Sequence, residues 1–196
     1  MSVVAAENAI TVQNLMAAFE AASNAHARYM TFAEQAEEDG FRGIASLFRS
    51  VARARQIHAT HFAHVIDRAG GLAECEISLG ALSGTLENLK AALNSEQHEI
   101  ASVLPDYQSE AAGRGNTAAL RSFTGAMEAE KAHARLFSAA IALLTAGKKV
   151  AAAESWIGEA RDFYVCPVCG YTSETEEESE HCPVCRCGWE KFEIIR

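Results

Sequence analysis

Apolar residues recur every three or four positions along four long stretches of this chain, the spacing of amphipathic helices. The first predicted helix runs from Thr11 to about Asp39, where Asp39-Gly40 gives a turn signal. The second is predicted from Arg42 to Arg68 and ends at Gly70-Gly71. The third begins near Ser83 to Thr85, is kinked or broken at Pro105, and closes at Gly113 and Gly115. The fourth runs from about Thr117 to Ala146.

The segment Leu72 to Gly84 has no sustained helical period and is long enough to cross a bundle as an extended connection. After residue 163 the composition changes to cysteine, aromatic and acidic residues. The fold class predicted is mainly α, a four-helix bundle with a small C-terminal metal-knuckle domain. The domain boundaries predicted are 1–147 for the bundle, 148–162 for a linker and 163–196 for the small domain.

The helix pattern contains an internal repeat. A shift of 75 residues places Arg55 opposite Glu130 and His58 opposite His133. A shift of 74 sets two alanines against two glutamates, as Ala22 against Glu96 and Ala25 against Glu99. One copy of the repeat has therefore lost acids that the other copy keeps.

Glu130 and His133, three residues apart, project from one face of a helix. A carboxylate and an imidazole so placed, with glutamates from other helices, form a two-metal carboxylate site inside a four-helix bundle. In this chain only half of the ligands of such a site are present. Tyr29 also points inward, where it could pack in the core or donate a hydrogen bond to a buried carboxylate.

Two C-x-x-C pairs, separated by twelve residues, lie in the small domain: Cys166 with Cys169, and Cys182 with Cys185. Four thiolates at this spacing converge on one tetrahedral metal, and structural zinc and redox iron use the same four ligands. The spacing alone leaves the two metals open.

The net charge of −9 argues against a nucleic-acid partner. No stretch approaches the roughly 18 uninterrupted apolar residues of a membrane span. The N-terminus carries an acid and lacks a cationic leader, and the paired cysteines suit a reducing compartment, so a cytoplasmic location is expected.

With four helices, Glu-x-x-His chemistry and the segments N-L-M-A-A-F, S-N-A-H-A-R-Y, N-L-K-A-A-L and Y-V-C-P-V-C-G-Y, the chain resembles the rubrerythrins over almost its full length. The resemblance implies a ferritin-like diiron bundle joined to a rubredoxin-like domain. It also implies reduction of hydrogen peroxide with electrons passed through the rubredoxin iron, a redox donor protein, and a head-to-tail homodimer. It favours iron over zinc at the four cysteines.

Carried over residue by residue, the family's metal and catalytic ligands fall on Glu96, Glu99, Glu130 and His133, and a further metal ligand falls on His58. Two carboxylates are missing. The first-helix glutamate falls on Ala22, and the bridging glutamate of the second helix falls on Arg55.

Arg55 supplies a fixed positive charge that can engage glutamates through both arms of its fork. We therefore expect at most one iron, manganese or zinc ion in the bundle, held mainly by Glu96, Glu130 and His133, with Glu99 or His58 as optional ligands. An empty site and an intact diiron site are the alternatives. The function expected is a peroxidase-type oxidoreductase of reduced activity. The alternative is a non-catalytic bundle whose four-cysteine metal stores electrons or staples the fold.

Overall fold

The computed structural model describes residues 9–146, 156–175 and 180–196. The long helices are α1 (Ala9–Glu38), α2 (Arg42–Arg68), α3 (Thr85–His98), α4 (Leu104–Gly113) and α5 (Thr117–Ala146). They follow the predicted boundaries within a few residues. Residues 71–84 form neither helix nor strand, as expected for a crossing connection.

The third predicted helix is interrupted before its proline. A π-helical segment, Glu99–Val103, separates α3 from α4, and Pro105 lies in the first turn of α4. Proline suits that position because the first turn of a helix needs no amide donor. A single-turn π-helix widens the backbone locally and is often found at functional sites. Here it begins at Glu99, one of the predicted ligands.

The bundle core is built from small and aromatic side chains. Alanines let the helices approach closely, while Tyr29, Phe32, Phe48 and Phe137 stack in one cluster with ring centroids 5.5–6.2 Å apart. Among the described residues, no helix is long and apolar enough to cross a membrane.

The small domain carries a three-stranded antiparallel sheet of order β2-β1-β3, with β1 at Phe163–Val165, β2 at Thr172–Ser173 and β3 at Glu193–Ile195. The two cysteine pairs form turns of matching geometry. The amide of Cys166 donates to the carbonyl of Tyr171, and that of Cys182 donates to the carbonyl of Cys187. The linker expected at residues 148–162 lies partly outside the described residues, and its described part is helical at residues 156–157.

The small domain packs against α2 of the same chain. Val165 and Ile195 contact Ala54 and Ile57, and the Arg53 guanidinium binds both oxygens of Glu193 at 2.7 and 2.8 Å. The first cysteine turn is thereby held over the middle of the bundle, where α2 and α5 carry their histidines.

Candidate metal centres

The four predicted cysteines come together at one point. The sulfur atoms of Cys166 and Cys185 lie 3.5 Å apart, and those of Cys169 and Cys182 lie 3.6 Å apart. Four sulfurs bound tetrahedrally at about 2.3 Å from a metal would lie about 3.7–3.8 Å from one another, close to these values. Within the described part of the chain, this is the one set of three or more metal-ligating side chains whose ligand atoms all lie within 4.8 Å of each other. The residues present therefore fit one tetrahedral ion.

The five predicted bundle residues also come together, but around an arginine. Glu96, Glu130, His58 and His133 are buried, and Glu99 lies at the edge of the cluster with 14% of its side chain exposed. The Arg55 side chain, 1% exposed, fills the space between the three carboxylates.

Arg55 makes five hydrogen bonds to these acids. Its Nε and Nη2 donate to Oε1 of Glu96 at 3.1 and 2.8 Å, and its Nη1 donates to Oε1 of Glu130 at 2.6 Å. Nη1 and Nη2 donate to the two oxygens of Glu99 at 3.1 and 2.9 Å. A planar guanidinium has five N–H donors in a fixed fork, and here they are directed at carboxylate oxygens.

The carboxyl groups of Glu96 and Glu130 differ in their ionisation. Burial opposes ionisation of Glu96, but the charge of Arg55 and the contact with His133 outweigh it and lower the pKa of Glu96 to about 2. Burial raises the pKa of Glu130 well above its usual range, and the nearby carboxylates of Glu99 and Glu96 add to the effect of burial, against the charge of Arg55. Glu96 is thus the ionised partner of Arg55, and Glu130 favours its protonated form.

Two buried polar atoms in this cluster have no hydrogen-bond partner, Nδ1 of His58 and Oε2 of Glu130. Burial, followed by the charges of Arg55 and His133, lowers the pKa of His58 well below its usual value, so its ring is neutral. A neutral imidazole nitrogen and a protonated carboxyl oxygen are complementary acceptor and donor. Nδ1 of His58 lies 3.7 Å from the other carboxyl oxygen of Glu130, Oε1.

The first cysteine turn caps both histidines. Nε2 of His58 donates to the carbonyl of Cys169 at 3.0 Å, and Nε2 of His133 donates to the carbonyl of Gly170 at 3.0 Å. Thr172 Oγ1 lies 3.3 Å from the same nitrogen of His133. Hydrogen bonds at Nε2 orient the rings and turn Nδ1 toward the acids, with Nδ1 of His133 at 3.2 Å from Oε2 of Glu96.

These carbonyl contacts were not predicted from the sequence. The glycine after the first cysteine pair indicated only a tight turn, and no sequence pattern shows which surface that turn covers. Of the two roles open for Tyr29, the structure supports both, because its buried ring packs with phenylalanines and its hydroxyl donates to Oε1 of Glu96 at 2.9 Å.

The geometry does not fit a pair of irons in the bundle. Ala22 has no ligand atom in its side chain, and the guanidinium of Arg55 lies between the three acids and binds their oxygens. Sites of this class need four to five carboxylates around two metals. The four-cysteine site, in contrast, keeps its whole ligand set.

A four-helix bundle with a Glu-x-x-His helix, joined to a four-cysteine knuckle domain, defines a class of ferritin-like proteins with a rubredoxin-like module. The chain matches the Rubrerythrin family over residues 13–141 and the rubredoxin-like domain of rubrerythrin over residues 164–193. It therefore belongs to the rubrerythrin family of non-haem iron proteins.

Characterised relatives match nearly the whole chain. Rubrerythrin-2 of Clostridium acetobutylicum is 34% identical over 192 residues, which cover 96% of this chain and 98% of the relative. Nigerythrin of Nitratidesulfovibrio vulgaris is 32% identical over 176 residues, 89% of this chain and 81% of the relative.

Solved structures support the same fold. The fully reduced, all-ferrous structure of nigerythrin superimposes with a TM-score of 0.81 at 31% identity and covers 94% of this chain and 86% of its own. A bacterioferritin from Desulfovibrio desulfuricans, at 16% identity and a TM-score of 0.71, covers 82% of this chain and 94% of its own. This second likeness concerns the fold alone.

Proposed function

We propose that the protein transfers electrons through an iron ion at Cys166, Cys169, Cys182 and Cys185, and that its bundle site reduces peroxide weakly because it does not hold two irons. The observation that carries this proposal is the pairing of Arg55 with Glu96, Glu99 and Glu130. A permanent cation already balances part of the acid charge that would otherwise attract metal ions.

The four-cysteine site suits a redox ion in its surroundings as well as its ligands. Cys166 and Cys182 are fully buried, and Tyr171, Val184 and Phe192 pack around the cluster. An apolar shell limits water at the metal and influences its reduction potential. Bound here, iron would carry one electron at a time.

The contact between the two sites supports electron transfer between the small domain and the bundle. Cys169 is joined to the ring of His58 by one hydrogen bond from its own carbonyl, and Gly170 is joined in the same way to His133. The resemblance implied that the cysteine site of a second subunit approaches the bundle site. Here the cysteine turn of the same chain makes that approach.

Reduction of hydrogen peroxide to two water molecules takes two electrons and two protons. A site with two metal ions can supply both electrons together, whereas the four-cysteine iron supplies one. We therefore expect peroxide turnover far below that of a complete diiron site. The residues that we assign to peroxide reduction are Glu96, Glu99, Glu130 and His133.

The two buried atoms without partners favour a second candidate, a single metal ion in the bundle. Nδ1 of His58 and Oε2 of Glu130 are ligand atoms that Arg55 does not use. One iron, manganese or zinc ion could take these two atoms together with His133, Glu96 or Glu99. The protein would then be a non-catalytic or altered bundle, with the four-cysteine metal as a structural or electron-storing ion and zinc as the alternative to iron.

We further propose a cytoplasmic protein that receives electrons from a separate redox donor protein and forms a homodimer, head to tail as the resemblance implies. The free cysteines support a reducing compartment. Analytical ultracentrifugation would test the dimer, and a mass equal to one chain would contradict it.

The decisive experiment combines metal analysis with a peroxidase assay on the purified protein. We expect one iron per chain in the wild type and its loss in Cys166→Ser. The double variant Ala22→Glu with Arg55→Glu restores the two missing acids, and we expect it to bind additional iron and to reduce peroxide faster. A matched control, Ala21→Glu with Gln56→Glu, adds two acids at neighbouring positions of the same helices, where residue 56 is exposed.

Three results would contradict the proposal. More than two metal ions per chain in the wild type would show that Arg55 does not displace the metal pair. No gain of iron or of rate in the restored variant, relative to the control pair, would show that the two substitutions do not limit the site. A colourless protein with one zinc per chain would remove the electron-transfer function.

A further inference from the structure

A cavity of about 760 Å³ lies between the bundle and the small domain, beside the four-cysteine site. Pockets of roughly 300–1,000 Å³ are the size that small-molecule ligands use. Its walls come from α2, α5 and both cysteine turns, so it exists only because the small domain is docked. It lies outside the acid cluster that Arg55 fills.

The cavity is lined by apolar side chains, by His58 of the bundle site and by two metal-binding residues. Leu120, Val168 and Val184 line it, together with Cys169 and Cys185. The side chain of Val168 is exposed although it belongs to the cysteine turn. A ligand against this wall would touch two of the four cysteines.

The other end of the cavity is basic. His61, Arg121 and Ser122 also line an adjoining cavity of about 260 Å³, whose wall adds His64 and Arg68. Throughout the described ranges, neither Arg68 nor Arg121 has an acidic partner within ion-pair distance, although the chain carries a net charge of −9. The acidic residue of the larger cavity's lining, Glu128, is paired with Lys131 at 2.6 Å.

Gly125 in the middle of α5 enlarges the cavity. A glycine in the interior of a helix makes that helix less stable than an alanine would, by about 1 kcal/mol, so its presence calls for an explanation. Close packing does not explain it, because a Cβ at Gly125 would meet a single neighbour, the Cβ of Cys169, at the ordinary contact distance of 4.0 Å. The missing side chain leaves free space directly beside the metal-binding cysteine.

We propose that this cavity, which we call the interdomain pocket, binds a flat aromatic redox cofactor that carries a phosphate group, of the flavin mononucleotide class. The apolar side chains of Leu120, Val168 and Val184 suit the ring, and Arg121, with Arg68 in the adjoining cavity, suits the phosphate. Contact with Cys169 and Cys185 places the ring next to the metal ligands. The argument for binding depends only on the residues that line the pocket. The role of the bound cofactor in electron transfer depends on the proposed function.

In this proposal the bound ligand, in its reduced form, is the electron donor. If the four cysteines hold iron, a reduced flavin beside them would be oxidised by one electron and would release one proton to solvent, and the iron would be reduced from the ferric to the ferrous state. With zinc at the cysteines, binding remains and this step does not occur. The failure of the pocket and the failure of the iron proposal are therefore distinguishable.

Isothermal titration calorimetry of the purified full chain tests the pocket with three probes: flavin mononucleotide, riboflavin and inorganic phosphate. We expect saturable binding of flavin mononucleotide and at least about 10-fold weaker binding of riboflavin, the difference of one charged contact. Inorganic phosphate alone should bind more weakly than either. Arg121→Gln should reduce the affinity for flavin mononucleotide to near that for riboflavin, whereas Arg135→Gln, an exposed arginine of the same helix, should not.

Gly125→Met should fill the pocket and abolish binding without loss of thermal stability, because a helix former replaces glycine. Gly113→Met is the matched control, since a Cβ at Gly113 meets nothing within 4 Å and the residue lies outside the pocket. Absence of saturable flavin binding, or equal affinity in Gly125→Met and Gly113→Met, would overturn the proposal. Equal binding of riboflavin and flavin mononucleotide would overturn the assignment of the phosphate to Arg121.

Discussion

Nη1 of Arg55 donates a hydrogen bond to Oε1 of Glu130 at 2.6 Å, and these two residues occupy equivalent positions in the two halves of the bundle, 75 residues apart. In a symmetric site both positions would carry acids and repel each other unless metal ions lay between them. Here one position carries the opposite charge, and the two halves bind each other directly.

Replacement of Arg55 by methionine should destabilise the bundle strongly. It leaves the buried acids without a counter-charge, and removal of one partner from a buried ion pair costs about 3–5 kcal/mol. Urea denaturation at pH 7 measures the change in the free energy of unfolding. Arg53→Met is the control, since this half-exposed residue of the same helix pairs with Glu193 and its loss should cost about 1 kcal/mol or less. Equal effects of the two substitutions would contradict the central role of Arg55.

The two carboxyl groups nearest Arg55 should respond differently to conversion into amides. The pKa of Glu96 is lowered to about 2, so its ionised form stabilises the fold above the unfolded pKa near 4.5, and this contribution is lost as the pH falls toward 2. A shift of this size corresponds to about 3 kcal/mol. Glu96→Gln should therefore destabilise the protein by about that amount at pH 7 and flatten the loss of stability between pH 5 and pH 2.

The pKa of Glu130 is shifted in the opposite direction to that of Glu96. Because its pKa is raised, its stabilising contribution is present below the unfolded pKa and is lost as the pH rises through the folded value. Glu130→Gln imitates the protonated carboxyl and should change the unfolding free energy at pH 7 by less than about 1 kcal/mol. Urea titrations of both variants across pH 3–8 make the comparison, and a larger effect of Glu130→Gln than of Glu96→Gln at pH 7 would show that the assignment of charges is reversed.

Gly170→Ala should loosen the small domain from the bundle. A Cβ at this position would lie 2.7 Å from Nε2 of His58 and 3.1 Å from the carbonyl oxygen of Ala54, and the backbone φ of 76° is already unfavourable for alanine. We expect faster proteolysis between the bundle and the small domain. Gly115→Ala has a similar φ of 67° and no atom within 4 Å of the new Cβ, so it isolates the backbone effect of about 1 kcal/mol. Equal protease sensitivity of the two variants would argue against docking through Gly170.

Arg186→Gly should stabilise the second cysteine turn. Arg186 has a φ of 65° at the position that Gly170 holds in the first turn, and a non-glycine residue in this region is strained by about 1 kcal/mol. The rate of metal loss to a chelator should fall. Arg186→Ala keeps the strain and removes the guanidinium, so a slower loss in that variant as well would assign the effect to charge.

The helices could be predicted from the sequence because hydrophobic spacing and glycine stops are local signals. Arg42–Arg68 is found as predicted, and the four cysteines converge as their spacing requires. The π-helical segment at Glu99–Val103 could not be predicted, since its sequence has no residue signature that distinguishes it from an α-helix.

The residues of the bundle site could be predicted from the sequence, but some of their contacts could not. The repeat placed Arg55 among the acids, and the structure brings Glu96, Glu99 and Glu130 to its guanidinium. The capping of His58 and His133 by the backbone of Cys169 and Gly170 depends on tertiary docking, which side-chain patterns do not encode.

The guanidinium of Arg55 is part of the covalent chain, whereas an inorganic ion must be captured from the cell. A bundle that carries its own cation has a balancing charge among its buried acids as soon as it folds, whether or not metal ions are available. The four cysteines, in contrast, fit an ion that must come from outside the chain.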